Sequence, residues 1–367
     1  MANSHQPFVA LIVGVTGMAG LSLAEALKSP NALGGPWKVY GSASRPIPTW
    51  FPSSLLDKYI AFDATDAGNT ADTLTPISGE VTHVFWVAIQ VRESEQVNVT
   101  VNATMLSNVL DVLKSGPGGN GTGSRLSHVT VQTGTQHYMG PIHNPTESGQ
   151  GLEPHEPPFR EDLPRPNFYY ALEDLLESYA PSLTYASSRS VYNALLTLAV
   201  YALICRYEGL PFRYPGSRYT WKHFCDMSDA RVLAKQHIWA AVTPSAKNQA
   251  FNCTNGDMFT WKSLWKKLCD IFDLEFIPSV ELENFDFVEL MKEKSKVWDE
   301  IVEMHGLFKT KLEEITCAVA LNNVLHFGFQ HVCSMNKSRD YGFFGYADTL
   351  KSIPMWVERL RDMKIIP

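Results

Sequence analysis

The sequence predicts an α/β fold with a doubly wound parallel sheet, covered at one end by a smaller, helix-rich C-terminal part. Three observations carry this reading. Short apolar runs alternate with helix-spaced segments through roughly the first third of the chain. The first of those runs ends on a series of glycines that opens a helix. Beyond about residue 190 the alternation gives way to long apolar helices.

Residues 8–14, FVALIVG, form a continuous apolar run of the kind buried on both faces of a parallel sheet. MAGLSLAEALKS follows, with Ala19, Leu23, Ala26 and Leu27 at helical spacing. Four further strands are read in WKVYGSAS (37–44), KYIAFDATD (58–66, its strand ending on Asp63), VTHVFWVAI (81–89) and RLSHVTVQTG (125–134). VNATMLSNVLDVLKS (101–115) is an amphipathic helix, and GPGGNGTGS after it a flexible surface connector. This alternation implies right-handed crossovers. The proline-rich stretch PIHNPTESGQGLEPHEPPFREDLPRP is a long loop ahead of the helix that NFYYALED (167–174) opens. VYNALLTLAVYALICRYEG (191–209) and FTWKSLWKKLCDIF (259–272) are helices, and the region 280–367 is helix-rich with many aromatics.

The chain of 367 residues is 45% hydrophobic, enough for a sizeable core. Its formal net charge of −7, with no dense Lys/Arg run, argues against a nucleic-acid partner. No run reaches the roughly 18 apolar residues of a membrane span. The N-terminus lacks the basic start of a secretory leader and reads as a first strand. Six cysteines are scattered without a CxxC pair, which favours reduced thiols over disulfides or a metal site. The expectation is a cytoplasmic protein acting on a small molecule, with no metal, nucleic-acid or membrane partner; a homodimer stays open.

VGVTGMAG places Gly14, Gly17 and Gly20 at the junction of first strand and first helix. The first glycine permits the tight turn, the second lets backbone N–H groups approach a pyrophosphate, and the third packs helix on sheet. Thr16, Met18 and Ala19 complete this cradle at a helix N-terminus that favours anions. At the end of the second strand, where a carboxylate would receive the ribose of NAD, the chain has Ser44 and Arg45. A guanidinium forks onto a 2′-phosphate instead, which points to NADP(H). Asp63, ending the third strand, is placed either to meet the adenine amino group or to cap the strand end. Residues 1–190 therefore read as an NADP(H)-binding part, and 191–367 as a largely helical substrate part interleaved with the sheet.

Together with GVTGMAG, the segments QTGTQHYMGP, PPFREDLPRPNFYYALED, CDMSDARVLAKQHIWAA, KNQAFNCTNGDMFTWK and SMNKSRDYGFFGY carry a further signal. They resemble, over nearly the whole chain, the progesterone 5-beta-reductase/iridoid synthase-like enone reductases of plants. Those are atypical extended short-chain dehydrogenases with a Rossmann sheet. The resemblance implies NADPH-dependent reduction of a carbon–carbon double bond conjugated to a carbonyl. Its implied substrates are steroid enones, small enones or the open-chain monoterpene dialdehyde leading to iridoids. It also implies that Tyr169, the first tyrosine of NFYY, is catalytic. The tyrosine's lysine partner then lies upstream, in a segment resembling TG-x-K-H-Y-x-G-P, rather than four residues on. Here that segment is TGTQHYMGP, with Gln136 in the lysine position and Glu173 four residues after Tyr169. Thr133 and Tyr169 join the glycine turn as expected cofactor contacts.

Alcohol oxidation needs a tyrosinate-like base, and an adjacent lysine helps by lowering a phenol pKa of about 10. Conjugate reduction asks for less, because a neutral O–H aimed at the carbonyl oxygen stabilises the charge that grows there. Gln136 could donate to the same oxygen or orient the phenol, but it supplies no charge. A missing charge at such a site costs about 3 kcal/mol, or roughly a hundredfold in rate. The expectation is a slower enone reductase; the alternative is a catalytically impaired or non-catalytic NADP(H)-binding homologue. His137 and Tyr138 suit a pocket wall or local packing, and Tyr170 reads as a packing residue. Asn193, Phe343 and Phe344 are the expected substrate-side residues.

One further departure concerns LLESYAPSLTYA, which runs directly into SSRSVYNALL. The family carries there a segment resembling S-V-H-R-P, and by comparison about ten residues are absent. That leaves at most a shortened strand over Leu183–Ala186, and puts sheet closure and the nicotinamide contacts at stake.

Overall fold

The computed structural model describes residues 7–139, 166–190, 194–278 and 285–367. Most of the proline-rich loop and Asn193 lie outside them. Seven strands form one parallel sheet in the order β3-β2-β1-β4-β5-β6-β8. They are β1 (Phe8–Val13), β2 (Trp37–Ala43), β3 (Lys58–Ala61), β4 (His83–Trp86), β5 (His128–Gly134), β6 (Thr184–Ser190) and β8 (Gln249–Asn252). β7 (Phe224–Cys225), which falls between β6 and β8 in sequence, pairs antiparallel with β9 (Phe259–Thr260), which follows β8, as a separate ribbon. The helices used below are α1 (Met18–Lys28), α2 (Ala67–Leu74), α3 (Glu95–Ser115), α4 (Gln136–Met139), α5 (Phe168–Ser178), α6 (Leu195–Glu208), α7 (Arg218–Lys222) and α8 (Ala230–Val242).

Both faces of the sheet are covered, which is why β1 reads as an unbroken apolar run. On one face Leu23 and Leu27 of α1 pack with Ala234 and Ile238 of α8 against Ala10 and Ile12 of β1. On the other, Leu106 and Leu110 of α3 and Leu172 and Leu176 of α5 pack against Val84, Val129 and Val131. A third core lies beyond the carboxyl ends of the strands. There α6, apolar on every side, is enclosed by Trp265, Phe272, Phe287, Trp298 and Trp356 of the C-terminal helices. Gly209, at φ +66°, ends α6.

Several boundaries differ from those read in sequence. The strand after α5 is not shortened: β6 runs seven residues, pairing with β5 along its length and with β8 over four positions. Sheet closure is therefore intact. β8, which alternation did not reveal, comes from the second half of the chain and completes the sheet. α3 begins at Glu95, where the Ser94 hydroxyl accepts from Val97 N–H, ahead of the first residue its apolar spacing marks. β3 stops at Ala61, two residues before Asp63. The glycine-rich connector is a series of tight turns closed by its own backbone bonds, such as Gly121 N–H to Ser115 O at 2.9 Å.

Three histidines are buried: His83 and His128, which open the interior strands β4 and β5 and are register partners, and His237 on α8. Burial pushes their imidazoles down, His83 to about 4 and His128 and His237 to about 3. Above pH 6.5 folded and unfolded chains both carry them neutral. Below it the unfolded chain binds protons that the folded chain refuses, so stability falls as pH drops toward 3–4. The expected loss by pH 5 is on the order of 1–2 kcal/mol for each ring. Melting temperature should therefore fall from pH 7 to pH 5, and His237→Leu, read by the same thermal melts, should flatten that slope.

Candidate active site

The turn after β1 is built by three close approaches. Gly14 sits at φ +95°, and a Cβ there would lie 2.9 Å from Ala88 N, just past β4. The N–H groups of Gly14 and Val15 both donate to Ser42 O, at 2.9 and 3.0 Å. At Gly20 a Cβ would come within 2.3 Å of Gly14 O, so only glycine lets α1 pack this closely on the turn. Gly17 is the N-cap of α1, with no side-chain cap and no acidic residue in the first turn. The leading N–H groups of the helix are thus left for an external anion. β1 has β2 on one side and β4 on the other, so the turn opens at the crevice where the sheet reverses its winding. These features fit a dinucleotide pyrophosphate.

A cavity of about 380 Å³ lies over this turn. Gly17, Met18, Ala19, Gly20, Thr133 and Tyr169 line it; Gly14 and Thr16 form the turn behind it. Ser44 and Arg45 are exposed past the end of β2, off the cavity, and the Arg45 guanidinium lies 3.5 Å from Glu314. Asp63 is also off the cavity. Its Oδ1 accepts from Thr65 N–H and Oγ at 2.9 and 2.7 Å, and these bonds hold its carboxyl below the usual range. Thr133 is buried, its hydroxyl 3.0 Å from that of Ser187 on β6.

The wall facing the glycine turn is carried by the exit of β5 and the start of α5. Asn167 is the N-cap of α5: its Oδ1 accepts from Tyr169 N–H at 3.0 Å, and its Nδ2 donates to Gln136 O at 3.1 Å. The phenol oxygen of Tyr169 rests against Gly134, where a Cβ would stand 2.7 Å from it. No hydrogen bond from a described residue reaches this hydroxyl. Burial first, and the charge of Glu95 second, hold the phenol well above its ordinary value, so it stays protonated. Gln136 lines the cavity, but its amide donates to Glu95 Oε1 at 3.1 Å. The same oxygen accepts Phe168 N–H at 2.9 Å, an anion at the N-terminus of α5.

His137, Tyr138 and Tyr170 do not line the cavity. The Tyr170 hydroxyl donates to His137 O at 2.6 Å and the Tyr138 hydroxyl to Asn252 Oδ1 at 2.7 Å. His137 is fully buried, with Glu173 3.7 Å from its Nδ1. Phe343 and Phe344 do not wall the cavity. Phe343 is buried against Trp239, and Phe344 is 73% exposed. Apolar patterning marks both as candidates but cannot tell a pocket wall from a core or a surface.

Sequence reasoning missed four groups. Glu95 could have been found from the Ser94–Glu95 pair, a helix-start signal. Thr135, His331 and Asp226 give no such signal. They meet only in the fold, where His331 Nε2 lies 3.1 Å from Thr135 Oγ and His331 Nδ1 lies 3.5 Å from Asp226 Oδ1. Among the described residues no cluster of His, Cys, Asp and Glu could hold a metal ion, and no helix is long and apolar enough to cross a membrane.

The PRISE-like Rossmann-fold domain family matches residues 66–367. The chain is 43% identical over 377 residues to the 3-oxo-Delta(4,5)-steroid 5-beta-reductase of Arabidopsis thaliana, covering 98% of this chain and 93% of that one. It is 42% identical over 375 residues to the (S)-8-oxocitronellyl enol synthase of Catharanthus roseus, covering 98% and 92%. Among solved structures, the UDP-glucose 4-epimerase of Thermotoga maritima superposes with a TM-score of 0.64 at 13% identity, over 96% of this chain and 99% of that one. The Bordetella bronchiseptica enzyme WbmH, in complex with NAD+, gives 0.58 at 14% identity, over 96% and 98%. At these identities the structures bear on the fold alone. The chain belongs to the PRISE-like Rossmann-fold family.

Proposed function

We propose that this protein is an NADPH-dependent reductase of the carbon–carbon double bond in α,β-unsaturated carbonyl compounds, with Tyr169 stabilising the enolate oxygen. The observation that carries the reading is a protonated phenol hydroxyl, unclaimed by any described residue, in the wall of a cavity that begins at an uncapped helix N-terminus. The named activities of the relatives, steroid 5-beta-reduction and synthesis of an enol, support it. When bound, NADPH supplies the hydride. Gly17 to Gly20 would hold its pyrophosphate, and Arg45 with Ser44 its 2′-phosphate. Tyr169 donates its O–H to the carbonyl oxygen as negative charge develops there, and never has to lose the proton. That requirement separates the reaction from alcohol oxidation, for which a phenol held this far up is a poor base. Gln136 acts as a positioning group: through Glu95 it fixes the start of α5 and with it the tyrosine. Six free cysteines, five of them buried, suit the reducing cytosol where we place the reaction.

The direct test is NADPH oxidation with a small cyclic enone. Tyr169→Phe should lose about a hundredfold in kcat while its affinity for NADPH is unchanged. If the variant runs as fast as the parent, the assigned role is wrong. If the parent shifts NADPH fluorescence but never consumes absorbance, the protein is a cofactor binder without this chemistry. Gly134→Ala should push the phenol off its seat and lower kcat more than thermal stability, read by rates and melts side by side. For Arg45→Ala, the ratio of NADPH to NADH affinity should fall about tenfold to a hundredfold, measured by titration of each cofactor.

A further inference from the structure

We infer that Thr135, His331 and Asp226 form a relay that carries a proton to the α-carbon of the reduced substrate. The inference rests on the reductase reading and adds to it the source of the proton. Thr135 and His331 both line the cavity. Thr135 directly follows Gly134, the residue against which the Tyr169 hydroxyl rests. A carbonyl oxygen on Tyr169 therefore brings the carbons beside it next to the Thr135 hydroxyl.

The relay is built rather than incidental. Asp226 is 1% exposed and His331 7%. Asp226 N–H donates to His331 O at 3.0 Å, and Asp226 Oδ2 accepts from Cys333 N–H at 2.6 Å, which locks the two segments together. Asp226 Oδ1 and His331 Nδ1 face each other at 3.5 Å, and neither atom has a hydrogen-bond partner among the described residues. A buried carboxylate oxygen without a donor is costly, so this pairing puts a hydrogen on Nδ1 and leaves Nε2 to Thr135. The ring of Phe327 packs beside the imidazole, its centroid 5.7 Å away and its plane at 25°. As a purely structural element, a buried carboxylate and imidazole would serve less well than apolar groups of the same volume.

The step balances as follows. Once hydride from the cofactor has formed the new bond at the β-carbon, the former π pair is shared between the α-carbon and the oxygen held by Tyr169. The Thr135 O–H bond breaks as the α-carbon–hydrogen bond forms. A proton taken from solvent onto Nε2 beforehand passes to Thr135, and the ring is left neutral with its Nδ1–H toward Asp226. In sum, enone, NADPH and one proton give the saturated ketone and NADP+. Thr135 is the catalytic residue here; His331 and Asp226 act through it.

The test is reduction of 2-methylcyclohex-2-enone with NADPH, whose product has a single stereocentre, set only by α-protonation. The wild type should give one enantiomer of 2-methylcyclohexanone in excess. Thr135→Val and His331→Gln, first checked for a cooperative melt and NADP+ binding, should give racemic product with kcat lower by about a hundredfold. Thr135→Ser, which keeps the hydroxyl, should restore the handedness. Racemic product from the wild type itself overturns the relay without any variant. So does an unchanged enantiomeric excess in Thr135→Val or His331→Gln. If the wild type consumes no NADPH with this or other small enones, the reductase reading fails and the relay with it. A wild type that turns over beside indifferent variants sinks the relay alone.

Discussion

The reactive wall of this protein hangs from one carboxylate. Glu95 opens α3, yet its Oε1 receives the first N–H of α5 and the side-chain amide of Gln136 at the exit of β5. Three elements far apart in sequence are tied at that atom, and Tyr169 sits one residue beyond the tie. Because the partner at position 136 is an amide, the tie is made without a cation, and the charge of Glu95 stays beside the phenol. Charge and burial act in the same direction, toward a hydroxyl that gives a hydrogen bond and keeps its proton. A lysine at that position, as the family resemblance implies for relatives, would neutralise the carboxylate. The glutamine therefore alters the electrostatics of the site while keeping its geometry.

The parallel sheet supplies the other half of the site. Its winding reverses at β1, where Gly20 lets α1 approach the turn more closely than any side chain would allow and Gly14 does the same for the turn against Ala88. The second half of the chain does more than cover the opening. β8 extends the sheet beside β6, and α8 packs against α1, so the C-terminal helices are anchored to the framework that carries the glycine turn. Cavity walls drawn from both halves are thereby held on one framework.

Much of this was legible in sequence because parallel strands covered on both faces must be apolar at consecutive positions, and a phosphate turn must have glycine where backbones touch. The strand over Thr184–Ser190 was legible only in its first half, as a shortened strand over Leu183–Ala186. Most of its residues are polar, and the Ser187 hydroxyl meets that of Thr133 inside the sheet; apolarity is the wrong signal for such a strand. β8 failed for a similar reason, being four residues long with an apolar centre of two. The glycine series and Tyr169 announced themselves by position and motif. His331 and Asp226 could not, because nothing in a linear spacing connects either to Thr135 until the fold sets their atoms within reach.

The cysteines carry a consequence for durability. Conjugated carbonyl compounds are electrophiles that alkylate thiolates, so an enzyme that handles them is exposed to damage by its own substrates. In this chain Cys205, Cys225, Cys253, Cys269 and Cys333 are buried, and burial drives each of their thiols up, away from the reactive anion. Only Cys317 is half-exposed. The same packing that builds the core thereby shields the protein's nucleophilic sulfur from the reagents it is made to consume.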